Sequence, residues 1–315
     1  MKQTKGDLPL KVLSVLIAIG LWFYVVQIQS PDIERTIKGV PVVFTQKAAL
    51  EEKGLILLND KEHTMDIKIK GKRKYVVDVN STNLTVLADV SSIDETGTHT
   101  VFTNIILPYG NLEVVNKSPT MLTVDVDNLV TVEKEIQIKV NGEPRTDYIV
   151  GNITKSQETV SLKGPKSIID GIQTVSAEID VNGKDADVEE KEVPIKTYGS
   201  NEKEIKSSYI TPSAQTVEVR CEILKTKLVD IVPVLAEDLQ EGKSTFQLDT
   251  NSVKRIRIAG ARDVIDTLSA VQTKPIPLSA VNEDGDAAAE LELPVGIRSL
   301  DGEKFTFRFT QVAAP

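Results

Sequence analysis

Two hydrophobic patterns divide the chain. From Val12 to Val26 it reads VLSVLIAIGLWFYVV, with no charge and Ser14 as the one aliphatic hydroxyl. Counted from Leu8 to Ile28 the run is 21 residues, with Lys11 as its one charge. At about 1.5 Å of rise per residue such a helix covers roughly 30 Å, the thickness of a bilayer's hydrocarbon core. From about residue 31 onward the pattern changes to alternation with period 2. That period predicts half-buried strands.

The flanks of the apolar run set its expected orientation. Lys2, Lys5 and Lys11 precede or enter it, while Asp32 and Glu34 with Arg35 follow. Lys11 can snorkel to the near interface, and Trp22 and Tyr24 suit the far one. The lysine bias predicts a cytoplasmic tail over residues 1–7, a transmembrane helix over 8–28 and an exported body. A cleaved signal peptide shares the basic start, but cleavage needs small residues just past the apolar core. The exit here is WFYVVQIQSP, and the small-x-small triplet Ala18-Ile19-Gly20 lies inside the run. The anchor is therefore the preferred reading. Its Ser14 and Ala18 form a small-x-x-x-small pair, and Lys11 and Trp22 extend that face. These four residues are the candidate face for a partner helix.

The remainder repeats with a period of about 93 residues. In each copy a strand ends on a glycine, followed two places later by a base and then an apolar pair. The three are IKIKGKRKYV around Gly71, VSLKGPKSII around Gly164 and IRIAGARDVI around Gly260. The glycine is read as a φ > 0 position or a tight strand-to-turn exit, and the pair after it as one helical turn. Upstream lie alternating runs from Ile37, Ile136 and Leu228; downstream a proline-bearing strand is expected at Pro108, Pro194 and Pro294. Each copy closes with inward sets: Leu122, Val124 and Val126; Val217, Val219 and Cys221; Phe305, Phe307 and Phe309. The period is too long for solenoid units and predicts an array of whole β-rich domains. Their expected bounds are 31–129, 132–224 and 227–315, with short linkers near Leu129–Val132 and Leu224–Lys227.

Candidate chemistry is sparse. His63 and His99 have no cysteine or second histidine at ligand spacing, and both lie in polar stretches that read as exposed loops. Cys221 alternates with Val217 and Val219, which makes it a small core hydrophobe. As the single cysteine it can form no intramolecular disulfide. No phosphate loop, dinucleotide fingerprint or nucleophile elbow occurs. Asp284-Gly285-Asp286 and Asp125-Val126-Asp127 do not fit a calcium loop. No catalytic, cofactor-binding or metal-binding residue is assigned, and an enzyme is not expected.

Charge narrows the partners. The formal net charge is −9, and the basic tail leaves the body still more acidic. That argues against nucleic acid and gives no reason for the body to lie on an anionic lipid surface.

LKVLSVLIAIGLWFYV at Leu10–Val25, together with the three glycine-anchored copies, resembles the YbbR-domain family over essentially the whole chain. The resemblance implies a mainly β fold: an N-terminal transmembrane helix followed by a linear array of three YbbR-like domains. It also implies a non-enzymatic, single-pass regulator of a membrane diadenylate cyclase in a Gram-positive-type cell, modulating cyclic di-AMP synthesis without a cofactor. Its N-terminus would be cytoplasmic and its repeats extracellular. The alternative is an envelope-binding module or scaffold for a cell-wall polymer or exported protein, with no cyclase link.

Overall fold

The structure is a computed structural model. It describes residues 7–28 (side chains for 9–25), 32–239, 246–249 and 254–311. The tail lysines Lys2 and Lys5 lie outside the described residues. The fold is mainly β, preceded by helix α1 (Asp7–Ile28).

The first copy holds β1 (Asp32–Thr45), α2 (Lys47–Glu52), β2 (Leu55–Leu58), β3 (Thr64–Lys72), α3 (Arg73–Val76), β4 (Thr85–Asp89), β5 (Gly97–Val101), β6 (Thr103–Ile106) and β7 (Leu112–Ser118). It ends in the first part of β8 (Leu122–Asn141). The second copy continues with β9 (Tyr148–Lys155), β10 (Thr159–Pro165), α4 (Lys166–Ile169), β11 (Thr174–Asp180), β12 (Val188–Tyr198) and β13 (Thr211–Pro212). It passes through β14 (Thr216–Val232) into the third: β15 (Phe246–Leu248), β16 (Arg255–Gly260), α5 (Arg262–Ile265), β17 (Ala270–Thr273), β18 (Asp286–Glu292), β19 (Ile297–Ser299) and β20 (Lys304–Gln311).

One topology recurs. The opening strand lies between the glycine strand and a parallel neighbour that returns after the short helix: β3-β1-β4, β10-β8-β11 and β16-β14-β17. The parallel registers are Val42↔Val86, Ile136↔Val175 and Ile231↔Val271. The closing strand likewise has two antiparallel neighbours: β2 and β5 on β8, β9 and β12 on β14, β15 and β18 on β20. No linker interrupts β8 or β14, which run unbroken through residues 129–132 and 224–227. Each changes ladder partners along its length instead. Of the proline-bearing segments only Pro194 lies within a strand; Pro108 and Pro294 fall just past β6 and β18, since proline cannot donate to a ladder.

The chain divides into two compact units. One is made of the described parts of Met1–Val132, Leu162–Gly171 and Ser208–Thr211; the other of Glu133–Ser161, Ile172–Ser207 and Pro212–Pro315.

The closing strands bury the faces that alternation assigns. Leu122, Val124, Val126, Val217, Val219, Cys221, Phe307 and Phe309 are all buried, and Phe305 packs half-buried at the core's edge. The first core gathers Ile37, Val42, Ile67, Ile69 and Val86 around them, and the third gathers Ile231, Ile256, Ile258 and Val271. At about 25 cal/mol per Å² of apolar surface removed from water, this burial is the main term holding each core.

The anchor glycines do not have positive φ. Their constraint is proximity. A Cβ added at Gly71 would lie 2.9 Å from the Asn111 carbonyl oxygen, at Gly164 2.9 Å from that of Tyr209, and at Gly260 3.0 Å from that of Gly296. In every copy the returning chain crosses the end of the glycine strand too closely for any side chain.

Candidate functional site

Lys11, Ser14, Ala18 and Trp22 follow one another along α1 at spacings of three and four residues, so they share one face. Every described side chain of the helix is exposed, Trp22 at 63%. The Ser14 hydroxyl donates to the Lys11 carbonyl at 2.8 Å. This back-bond satisfies the proton within the helix, leaving only the oxygen's lone pairs for a neighbour. The face therefore offers close approach more than a free donor. Trp22 meets the Phe23 ring edge-on at 6.4 Å. Among the described residues no helix is long and apolar enough to cross a membrane. The α1 backbone runs 22 residues, and the described side chains, 9–25, are a shorter stretch of it.

The groups capable of chemistry are dispersed. Cys221 is fully buried, and burial pushes its thiol up, with Asp187 and Glu222 pushing the same way. A thiol so placed is a poor nucleophile. His63 is not the exposed loop residue its polar surroundings predict. Its carbonyl accepts from the Val42 amide at 3.0 Å, its ring meets Phe44 edge-on at 5.5 Å, and its Nε2 is buried. His99 lies on β5, with Nε2 2.9 Å from the Glu95 carbonyl oxygen. Among the described residues no three His, Cys, Asp or Glu side chains assemble at metal-binding distance.

The described residues form several concave sites. An open cleft of about 710 Å³ is lined by Asp185, Asp187, Arg220, Arg262, Arg298 and Leu224, among others. Its charges are largely engaged internally: Arg220 pairs with Asp187 at 3.1 Å, Asp187 accepts the Ile223 amide at 3.1 Å, and Arg298 donates to the Val150 carbonyl at 2.9 Å. A smaller recess of about 120 Å³ lies by α2 and β2, floored by Asp60. There the Tyr209 hydroxyl donates to Asp60 Oδ1 at 3.0 Å, the Asp60 amide donates back to that hydroxyl at 3.1 Å, and Lys47 pairs with the other carboxylate oxygen. Burial alone would raise the Asp60 carboxyl; the bonds from Lys47 and Tyr209, with the charges of Lys47 and Lys61, outweigh it and hold the group below its ordinary value. Burial pushes the Tyr209 phenol up, as does its bond to Asp60. No linear signal joins two residues 149 apart in sequence. In neither of these two does the lining set a nucleophile against a base.

Residues 130–220, the region of the second copy, match the family model of YbbR-like proteins. The CdaA regulatory protein CdaR of Bacillus subtilis (strain 168) is 24% identical over 94% of this chain. The chain spans 62% of that relative's length. Among solved structures, a YbbR-like protein from Streptococcus pneumoniae TIGR4 aligns with 63% of this chain and 98% of its own, at 14% identity and a TM-score of 0.37. SuR18C from Streptococcus thermophilus aligns with 31% of this chain and 86% of its own, at 15% identity and a TM-score of 0.23. The chain thus carries a YbbR-like domain at residues 130–220 and is similar over 94% of its length to a regulatory protein of CdaA.

Proposed function

We propose that this protein is a membrane-anchored, non-enzymatic regulator of a diadenylate cyclase, with α1 in the bilayer and the β repeats on the outer side. One observation carries the anchoring: the apolar side chains of α1, from Leu10 to Val25, are exposed. Large apolar surface of this kind needs a cover, and lipid with the transmembrane helices of a partner is the cover that suits a run without acidic residues. Similarity to a CdaA regulatory protein supports the cyclase as that partner. A regulator works by differential binding to two states of its target and needs no reacting atoms of its own.

Protease added to intact protoplasts tests the topology. The account expects digestion of the body and survival of a small membrane-held fragment. A body protected in protoplasts and digested only after lysis would overturn it.

A further inference from the structure

We propose that the tip of the first repeat, Lys72-Arg73-Lys74 with Tyr75 and Val77, docks on anionic lipid headgroups of the bilayer that α1 enters. This rests on the anchored reading of α1.

Connectivity places the tip. Three residues separate Ile28, the last of α1, from Asp32, the first of β1. At no more than about 3.6 Å per residue, Asp32 lies within about 14 Å of the helix end. Asp32 pairs with Lys72 in the β1/β3 ladder, where paired Cα atoms are about 5 Å apart. The basic tip is therefore held within roughly 20 Å of the point where the chain leaves the hydrocarbon. Headgroups occupy about 5–8 Å of that distance, and the surface potential extends a Debye length of about 8–10 Å further.

The molecule supplies its own control for what the fold requires. The same strand, glycine and short helix occur three times. In the six positions after the glycine, the first copy has three bases and no acid (KRKYVV), the second one base and one acid (PKSIID), the third one base and two acids (ARDVID). The sixth position is Asp170 in the second copy, paired with Lys166 at 2.5 Å, and Asp266 in the third, paired with Lys225 at 2.5 Å. In the first copy it is Val77, 58% exposed. The element thus folds without the extra bases and with an aspartate at its end. Only the copy next to α1 trades that acid for an exposed aliphatic and adds positive charge.

The tip also has interfacial character. Lys74 Nζ lies 4.6 Å from the centre of the Tyr75 ring, and Tyr75 and Tyr109 are 5.1 Å apart. Tyrosine beside exposed aliphatic surface suits the headgroup layer. Of the nearby acids, Asp32 stands opposite Lys72 and Glu113 opposite Lys70 in the ladders, and Asp78 accepts the Tyr109 hydroxyl. An acidic body repelled by an anionic surface would then touch it through this one patch. At about fivefold per base near such a surface, three bases bias the tip roughly 100-fold toward contact.

Amide exchange across residues 72–79 tests this, with the full chain in nanodiscs of phosphatidylcholine alone or mixed equally with phosphatidylglycerol. Slower exchange in the mixed discs is expected, by up to that factor, reversed by high salt and abolished in Lys72→Gln/Arg73→Gln/Lys74→Gln. The salt arm uses the wild-type chain, so a misfolded variant does not void the test. Equal exchange in both discs overturns the docking while leaving the anchor intact. Failure of the chain to insert into either disc overturns the anchored reading and the docking with it.

Discussion

Arg35 and Lys227 hold equivalent positions 192 residues apart: Arg35 faces Ile69 across the β1/β3 ladder as Lys227 faces Ile258 across β14/β16. Each reaches the end of the short helix that follows the anchor glycine. Arg35 Nη1 donates to the carbonyls of Val76, Val77 and Val79 at 3.4, 2.9 and 3.2 Å. Lys227 Nζ donates to those of Ile265, Asp266 and Leu268 at 3.4, 3.3 and 2.5 Å. The Ile265 carbonyl also accepts the Leu268 amide at 3.3 Å, and a cation is the favoured group beside carbonyls at a helix C-terminus. Lys227→Met keeps the aliphatic stem and removes the three bonds. It should destabilise the third copy by about 1–3 kcal/mol, read as faster amide exchange in α5 and β17. Unchanged exchange there would show that water replaces the clamp at no cost.

Gly164→Ala tests the close approach common to the anchor glycines. The new methyl would meet the Tyr209 carbonyl oxygen at 2.9 Å, and a backbone oxygen cannot move aside as a side chain can. A loss of about 1–3 kcal/mol is expected in chemical denaturation. Stability equal to wild type would mean that the crossing is looser than described.

Much of this fold is legible in the sequence where the signal is local. Alternation at Val217, Val219 and Cys221 fixes an inward face because side chains on a strand alternate strictly. The glycine repeat is legible as a repeat, but its reason is not. The oxygen that excludes a side chain from Gly164 belongs to Tyr209, far along the chain, and a local reading offers only φ > 0 or a tight strand-to-turn exit. Residues 129–132 read as a linker because the copies change there, yet β8 continues by exchanging neighbours. His63 reads as exposed because its neighbours are polar, and only the fold brings Phe44 against its ring. The candidate face of α1 follows from helical spacing alone, whereas the Ser14 back-bond that limits its donors depends on a rotamer.

Asp60 makes acid stability testable. Its carboxyl is held below the ordinary value in the folded chain, so it contributes stability above the unfolded pKa of about 3.9 that is lost as pH falls through the folded value. Asp60→Asn should therefore unfold more readily than wild type at neutral pH, with the gap closing below pH of about 4. Urea midpoints of the two chains across that range decide it. A gap that stayed constant with pH would remove the carboxylate from the explanation.

The face of α1 is tested by replacing Ser14 and Ala18 together with Leu. Both changes keep the helix apolar and fill the positions where a partner helix would come close. The variant should still fractionate with membranes but lose crosslinking to the cyclase by about tenfold or more, the factor set by 1.4 kcal/mol of lost packing. Crosslinking at the wild-type level would place coupling elsewhere than on this face.

The most direct measurement is of cyclase output. A membrane diadenylate cyclase is co-expressed with the full chain, with the chain carrying an unrelated apolar helix in place of residues 12–26, or alone, and cyclic di-AMP is quantified beside co-purification from solubilised membranes. The account predicts that the full chain brings down the cyclase and shifts cyclic di-AMP in one direction, and that the helix swap loses both effects. Identical cyclic di-AMP in all three strains, with no cyclase recovered on the full chain, would contradict it.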